Sequence, residues 1–203
     1  MMPRSTALAC WCAALLLAAC ATASAPSPRE RPAGRVVALP NADFEADFPR
    51  NYNCPVEWGC TMHSDPHSFR YFLDETTPKS GKRSLCIEPL KMEPWARASQ
   101  FLIDKSWQGA LIRFSVDIRV ENMGRADGMG GGAFITVQGG SGQVLATKSN
   151  LVKGPAGWQR VEAELVAPTG GFVLEFGVGL VGPGRVCADD ARLEIVQVSK
   201  SPV

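Results

Sequence analysis

Over most of this chain apolar residues recur at every second position, and a period of two limits the available folds more than any other feature. The stretch "IRFSVDIRVE", residues 112 to 121, places Phe114, Val116, Ile118 and Val120 on one side and Arg113, Ser115, Asp117 and Arg119 on the other. That alternation predicts an antiparallel strand with one face buried and the other in water. "WQRVEAELVAP" repeats it with Val161, Ala163 and Leu165 inward, and "FVLEFGVGL" does so with Phe172, Leu174, Phe176, Val178 and Leu180 on one face. Shorter runs, "RVVAL", "FRYFLDE", "RSLCIEPL", "SQFLID", "GAFITVQ" and "QVLATK", are separated by turn formers such as "NMGRADGMGGG" and "GGSG". No long helical period appears. Nine or more short one-sided strands predict an all-β protein, two antiparallel sheets packed face to face in a jelly-roll sandwich. With 20 glycines and 15 prolines in 203 residues, the length allows one such domain plus tails. The Gly-rich "GMGGGAF" runs into a strand with no Lys-Ser/Thr after it, so a mobile hairpin is expected there and not a phosphate loop.

The first 35 residues cannot join that core. Arg4 precedes an apolar run from Ala7 to Ala19, too short to span a bilayer as a mature helix and suited to a signal peptide, residues 1–19. Leu17-Ala18-Ala19-Cys20 resembles the lipobox of bacterial lipoproteins, in which Cys20 becomes the lipid-bearing first residue. Ala23-Ser24-Ala25 is a competing small-residue cleavage site that would release a soluble protein. In the Gram-negative lipoproteins this segment resembles, a residue other than Asp after the cysteine, here Ala21, implies export to the outer membrane, facing the periplasm or the exterior. Residues 20–35 hold Pro, Ser, Ala and charge without a large apolar side chain, as a flexible tether does. The folded body is then expected over 36–198, with a tail at 199–203. Without Arg4 the chain has 20 basic and 20 acidic residues, scattered singly, which excludes the concentrated basic patch that a duplex nucleic-acid partner requires.

Four cysteines remain in the body, an even number in an exported chain, and disulfides are the leading reading. Cys54 with Cys60 closes the shortest loop, which leaves Cys86 with Cys187 by elimination. The alternative is zinc, because "CPVEWGCTMHSDPH" brings Cys54, Cys60, His63 and His67 into one segment; against it stand the wide Cys spacing and Pro66.

"LPNADFEADFP", "SGKRSLCIEP", "GPAGWQRVEAELVAP" and "EFGVGLVGPGRVCADDARLEI" follow one another in an order that resembles the galactose-binding-like β-sandwich of carbohydrate-binding modules. The resemblance is closer to the accessory domain that precedes catalytic domains in some C-terminal-processing-type peptidases and erythromycin-esterase-like proteins. It implies a structural calcium held by Glu45 and Asp189, with Asp43 nearby and backbone oxygens near Gly81-Lys82. It also implies a glycan ligand laid against aromatic faces, for which the candidates on expected loops are Trp58, Trp95, Tyr52 and Tyr71. Trp107 and Trp158 precede strands at positions the resemblance marks as structural.

Catalytic motifs are missing: there is no G-x-S-x-G, no H-E-x-x-H and no Cys beside a His in a thiolate-stabilising setting. Asp189 and Asp190 are adjacent on an expected strand and point to opposite faces, so they cannot face each other as a glycosidase pair. A strict period puts Cys187, Asp189, Ala191, Leu193 and Ile195 inward and leaves Asp190 with Arg192 and Glu194 in solvent. Cys86 alternates out of phase with Leu85 and Ile87, so a Cys86–Cys187 bond requires a bulge or a strand end. The expected function is non-enzymatic: a lipid-anchored binding module for a glycan or another envelope component. The alternative is a structural or protein-interaction lipoprotein.

Overall fold

The computed structural model describes residues 34–49 and 53–196. The expected signal peptide, Cys20, Tyr52 and the 199–203 tail lie outside the described residues. Eleven strands form the body: β1 (Arg35–Val37), β2 (Gly59–Met62), β3 (Phe69–Asp74), β4 (Ser84–Pro89), β5 (Trp95–Leu102), β6 (Leu111–Glu121), β7 (Gly130–Gln138), β8 (Val144–Val152), β9 (Ala156–Val166), β10 (Val173–Val181) and β11 (Arg185–Val196). They make a six-stranded sheet, β3-β4-β11-β6-β9 with β1 also on β11, and a five-stranded sheet, β2-β5-β10-β7-β8. Every pairing is antiparallel. This is the two-sheet jelly-roll sandwich that the period of two predicts.

The core lies where the two inner faces meet. Phe114, Val116 and Ile118 of β6 are fully buried, as are Leu174, Phe176, Val178 and Leu180 of β10, and the rings of Phe114 and Phe176 stand 5.4 Å apart across the gap. Each such side chain contributes about 2 to 3 kcal/mol by leaving water. Trp107, fully buried in the β5–β6 turn, occupies the place where a Cβ on Gly171 would come within 2.7 Å of its ring. Phe172 departs from the expected inward set: β10 begins one residue later, and Phe172 is 43% exposed.

Two further expectations change. "GMGGGAF" is not a mobile hairpin, because Gly130, Gly131 and Gly132 are buried residues of β7. Their lack of side chains is what close packing demands: a Cβ on Gly131 would meet Val186 at 2.6 Å, and one on Gly132 would meet the Asn150 carbonyl at 2.1 Å. β1 starts at Arg35, the last residue of the expected tether, where it pairs with Ile195.

The decisive irregularity is in β11. Its register on β6 shifts between Asp189 and Arg192, and Asp190 takes φ +51° to make the bulge. One extra residue reverses the facing of everything before it. Val186 and Ala188 therefore turn inward, opposite Val120 and Ile118, while Cys187 and Asp189 align with Arg119 and Asp117 on the outer face. That corrects the strict-period reading of "RVCADDARLEI". The bulge also resolves the cysteine parity, since Cys86 and Cys187 are now direct cross-strand partners of β4 and β11. Both disulfides are formed, Cys54–Cys60 and Cys86–Cys187, with Cα–Cα distances of 5.7 and 4.1 Å. Zinc at Cys54 and Cys60 is ruled out by their bond; His63 instead lies 2.9 Å from Glu93, and His67 is exposed.

Candidate functional site

The bulge sits where β11 changes partners, from β4 at residues 186–188 to β1 at 193–195. Between the two, the Asp189 carboxylate takes the place of a neighbouring strand. Its Oδ2 accepts the N–H groups of Lys79 and Ser80 at 3.2 and 3.0 Å, and its Oδ1 accepts that of Asp190 at 2.8 Å. Asp189 is fully buried, and burial drives its pKa up to about 6 against the pull of those donors. Glu45 holds the far side of the same turn, its Oε1 accepting from Lys82 and Arg83 at 2.7 and 3.1 Å, and these two N–H groups hold its pKa below the ordinary value. Asp190 is not simply solvated: Ser80 donates to its carboxylate at 3.2 Å and Arg160 to its carbonyl at 2.5 Å.

Glu45 and Asp189 thus converge on one turn, 79–83, as the calcium reading requires. Their chemistry fits two of the six to eight hard oxygen ligands that calcium takes. Among the described residues Glu45 Oε2 accepts no hydrogen bond and Asp189 Oδ1 accepts one. Asp43 is exposed and accepts the Glu45 N–H at 3.3 Å, so it belongs to the opening turn and not to the clamp. Gly81 is at φ +56°, and a Cβ there would lie 2.1 Å from Glu45 Oε1. Gly81→Ala is therefore expected to cost about 2 kcal/mol, from the left-handed backbone and the displaced carboxylate. Urea unfolding checks this, and a loss no larger than that of an exposed Gly124→Ala control would contradict it.

The aromatic candidates separate sharply. Trp58 is 4% exposed, packs on Phe44 at 4.8 Å and gives its indole N–H to the Asn41 carbonyl at 3.0 Å, so it is a core residue and offers no face to a sugar. Tyr71 is not on a loop: it lies in β3, 5% exposed, its hydroxyl 3.0 and 3.1 Å from the carbonyls of Thr61 and Arg97, where it ties β2 to β5. Trp95 alone of the described candidates reaches the surface, partly exposed at the start of β5.

Its surroundings are the outer face of the five-stranded sheet. Along β5, Trp95, Arg97, Ser99 and Phe101 alternate with the inward Ala96, Ala98 and Gln100. Across from them stand Gly179, Gly177 and Glu175 of β10, and then Gly132, Phe134 and Thr136 of β7. With glycine at 177, 179 and 132 the floor is low, and Arg97 lies across it. Its Cζ is 4.5 Å from the Phe134 ring centre and 5.0 Å from that of Trp95. A Cβ on Gly179 would meet Phe134 at 3.7 Å and Arg97 at 3.9 Å. His63 packs edge-on against Trp95 at 6.2 Å, and Glu93, which His63 contacts, is held below its usual pKa first by the Ser64 hydroxyl. At the other end Glu175 is 7% exposed, with Gln138 at 3.5 Å. Beyond Trp95 an apolar groove of about 650 Å³ opens between the 89–94 loop and Gly182-Pro183, with Leu90 and Met92 exposed.

The opposite face differs in kind. On the six-stranded sheet Arg113 meets Glu164 and Glu194 at 2.5 and 3.0 Å, Arg185 meets Glu88 and Glu121 at 2.7 and 3.1 Å, and Arg119 meets Asp74 at 2.7 Å. Trp158 gives its N–H to the Thr77 carbonyl at 3.1 Å and lies over Arg119. These three guanidinium groups are paired with carboxylates, although Arg119 Nε has no partner among the described residues. On the five-stranded face Arg97 makes no hydrogen bond or ion pair among the described residues, and the fully buried Ser99 Oγ has no partner. Sequence reasoning missed Arg97, Ser99 and Phe134, although the period of "WARASQF" does put Trp95, Arg97, Ser99 and Phe101 on one side.

No family model matches the sequence, and no curated protein does. Solved structures do resemble the fold. A CBM22-1 xylan-binding domain of Xyn10C from Paenibacillus barcinonensis superposes with a TM-score of 0.55 at 14% identity, over 84% of this chain and all of the other. A family 22 xylan-binding domain gives 0.51 at 16% identity over 78% and 95%. A putative sugar-binding protein from Bacteroides thetaiotaomicron gives 0.52 at 10% identity over 77% and 98%. At these identities the likeness establishes the fold, the jelly-roll sandwich of carbohydrate-binding modules.

Proposed function

We propose that this protein is a glycan-binding module of the bacterial cell envelope, tethered through a lipid on Cys20 and binding its ligand on the outer face of the five-stranded sheet. The observation that carries the reading is Arg97, a cation with uncommitted donors held between two aromatic rings on a low glycine floor. Sugars are recognised by such a combination, an aromatic surface for the ring and a few fixed polar groups for the hydroxyls. Support comes also from the fold, which the solved xylan-binding domains share. The module carries no catalysis of its own in this reading, and envelope polysaccharide is its partner.

Trp95→Ala is expected to weaken binding at least tenfold in affinity electrophoresis against xylan, peptidoglycan fragments and other envelope polysaccharides, with Trp158→Ala on the opposite face as the unaffected control. If the wild-type protein retains none of these polymers, the interaction-lipoprotein alternative replaces the module. The anchor is checked separately: Cys20→Ala should leave the membrane fraction.

Calcium belongs to the same proposal in a structural role. Glu45 and Asp189 would hold it, and the ion, when bound, would neutralise the buried Asp189 charge and tie the 79–83 turn to both ends of the fold.

A further inference from the structure

We propose that the glycan this face takes is acidic, its carboxylate received by Arg97; this rests on the glycan-binding reading above and adds the charge of the ligand. The argument begins with how guanidinium groups are satisfied in this protein. Arg113, Arg119, Arg160 and Arg185, all on the other sheet, each reach one or more carboxylates within 3.3 Å. Arg97 is only partly exposed, yet among the described residues it reaches none. Among the described residues its charge faces the rings of Trp95 and Phe134, at 5.0 and 4.5 Å. Contacts of that kind stabilise the cation without consuming its N–H groups, which point outward in the guanidinium plane.

A planar fork of donors fixed between rings is matched by a planar acceptor with two oxygens. A carboxylate fits that fork bidentately, whereas a neutral hydroxyl uses one donor and leaves the others dry. The nearest carboxylate across the floor does not serve. Glu175 stands on β10 opposite Phe101, and the outward row of Ser99 and Gly177 separates it from the row of Arg97 and Gly179. Glu175 is moreover buried beside Gln138. Gly179, where a Cβ would stand 3.7 Å from Phe134 and 3.9 Å from Arg97, puts no side chain beside the guanidinium, so in this proposal a sugar carboxyl approaches its edge while the pyranose ring rests toward Trp95. Uronic acids present this pair of features on one residue.

The test uses the purified full chain in detergent and three polysaccharides, glucuronoxylan, polygalacturonate and alginate, each against its carboxyl-reduced form, which keeps the backbone and removes the charge. Calorimetric titration should show at least one intact polymer binding tenfold or more tighter than its reduced form. Arg97→Gln should erase that preference, bringing the affinity for the intact polymer down to that for its reduced form. Arg97→Lys, which keeps the charge and loses the fork, should recover only part of it. Trp95→Ala should weaken intact and reduced forms alike, which separates the ring contact from the charge contact. Equal binding of intact and reduced forms overturns the acidic ligand while sparing the glycan reading; binding to neither form by a protein with an unchanged melt overturns both. Phosphate or sulfate competing at millimolar concentration as well as free glucuronate does would also count against a carboxylate fork.

Discussion

Replacing Cys86 and Cys187 together by alanine is expected to destabilise the sandwich by about 4 to 5 kcal/mol, while the same treatment of Cys54 and Cys60 should cost about 2 kcal/mol. The difference follows from the chain each bond closes: 101 residues separate the first pair and 6 the second. Cross-linking a long loop removes more conformations from the unfolded chain than cross-linking a short one. The folded state adds to the contrast. Cys86 and Cys187 are fully buried on the outer side of the six-stranded sheet, with an Arg119 nitrogen 3.4 Å from the Cys187 sulfur. Truncating both leaves a gap that the strand ladder cannot close. For a domain of this size the loss should appear as a fall of about 10 to 15 °C in melting temperature. Thermal melts of the two double variants under identical oxidising conditions decide the matter, and equal losses, or a larger one for Cys54 and Cys60, would refute the ranking.

That bond also shows where the sequence was transparent and where it was not. Alternation alone reveals the strands and hence the sandwich, because burial on one face writes its period into every strand regardless of partner order. β2 is the exception: four residues at an edge, "GCTM", are too few to show a period. Order within the sheets and the handover of β11 from β4 to β1 are set by contacts far apart in the chain, which no local pattern records. The bulge at Asp190 is the clearest case. A single residue at positive φ reverses Cys187 and Asp189, and nothing in "CADDAR" marks which residue supplies the extra step. The out-of-phase cysteines did signal that a bulge must exist somewhere. For the outer face of the five-stranded sheet the obstacle is different. Trp58, Trp95 and Tyr71 look equivalent as aromatic residues near turns, and only the packing of Phe44 on Trp58 and the reach of the Tyr71 hydroxyl into β2 and β5 make two of them core. Arg97 does not stand out in the sequence because its distinction is negative, the lack of a carboxylate that the other sheltered arginines among the described residues have found.

With chelator present, stability is expected to fall as pH rises from 4.5 to 7.5, by about 2 kcal/mol from Asp189 alone. The sign comes from the direction of the shift. Asp189 has its pKa raised by burial from 3.8 to about 6 in the folded protein, so the fold favours the protonated form. The contribution is complete below pH 3.8 and is lost as the pH passes through about 6, when a charge must be carried inside the sheet. Asp74, shifted the other way, does not mask it: it is brought to about 2, where the Thr76, Thr77 and Arg119 hydrogen bonds outweigh its burial, and its contribution is lost only on acidification below this window. Asp189→Asn, neutral throughout, should flatten the slope whatever its absolute stability. A calcium ion held by Glu45 and Asp189 would act oppositely, since it binds the carboxylate and favours ionisation. In millimolar calcium the slope should then vanish or change sign, and the melting temperature at pH 7.5 should rise relative to chelator. Urea denaturation at several pH values, with calcium and with chelator, reads both. Identical curves in the two media would remove calcium from the clamp, while a wild-type slope that persists unchanged in Asp189→Asn would remove Asp189 as its source.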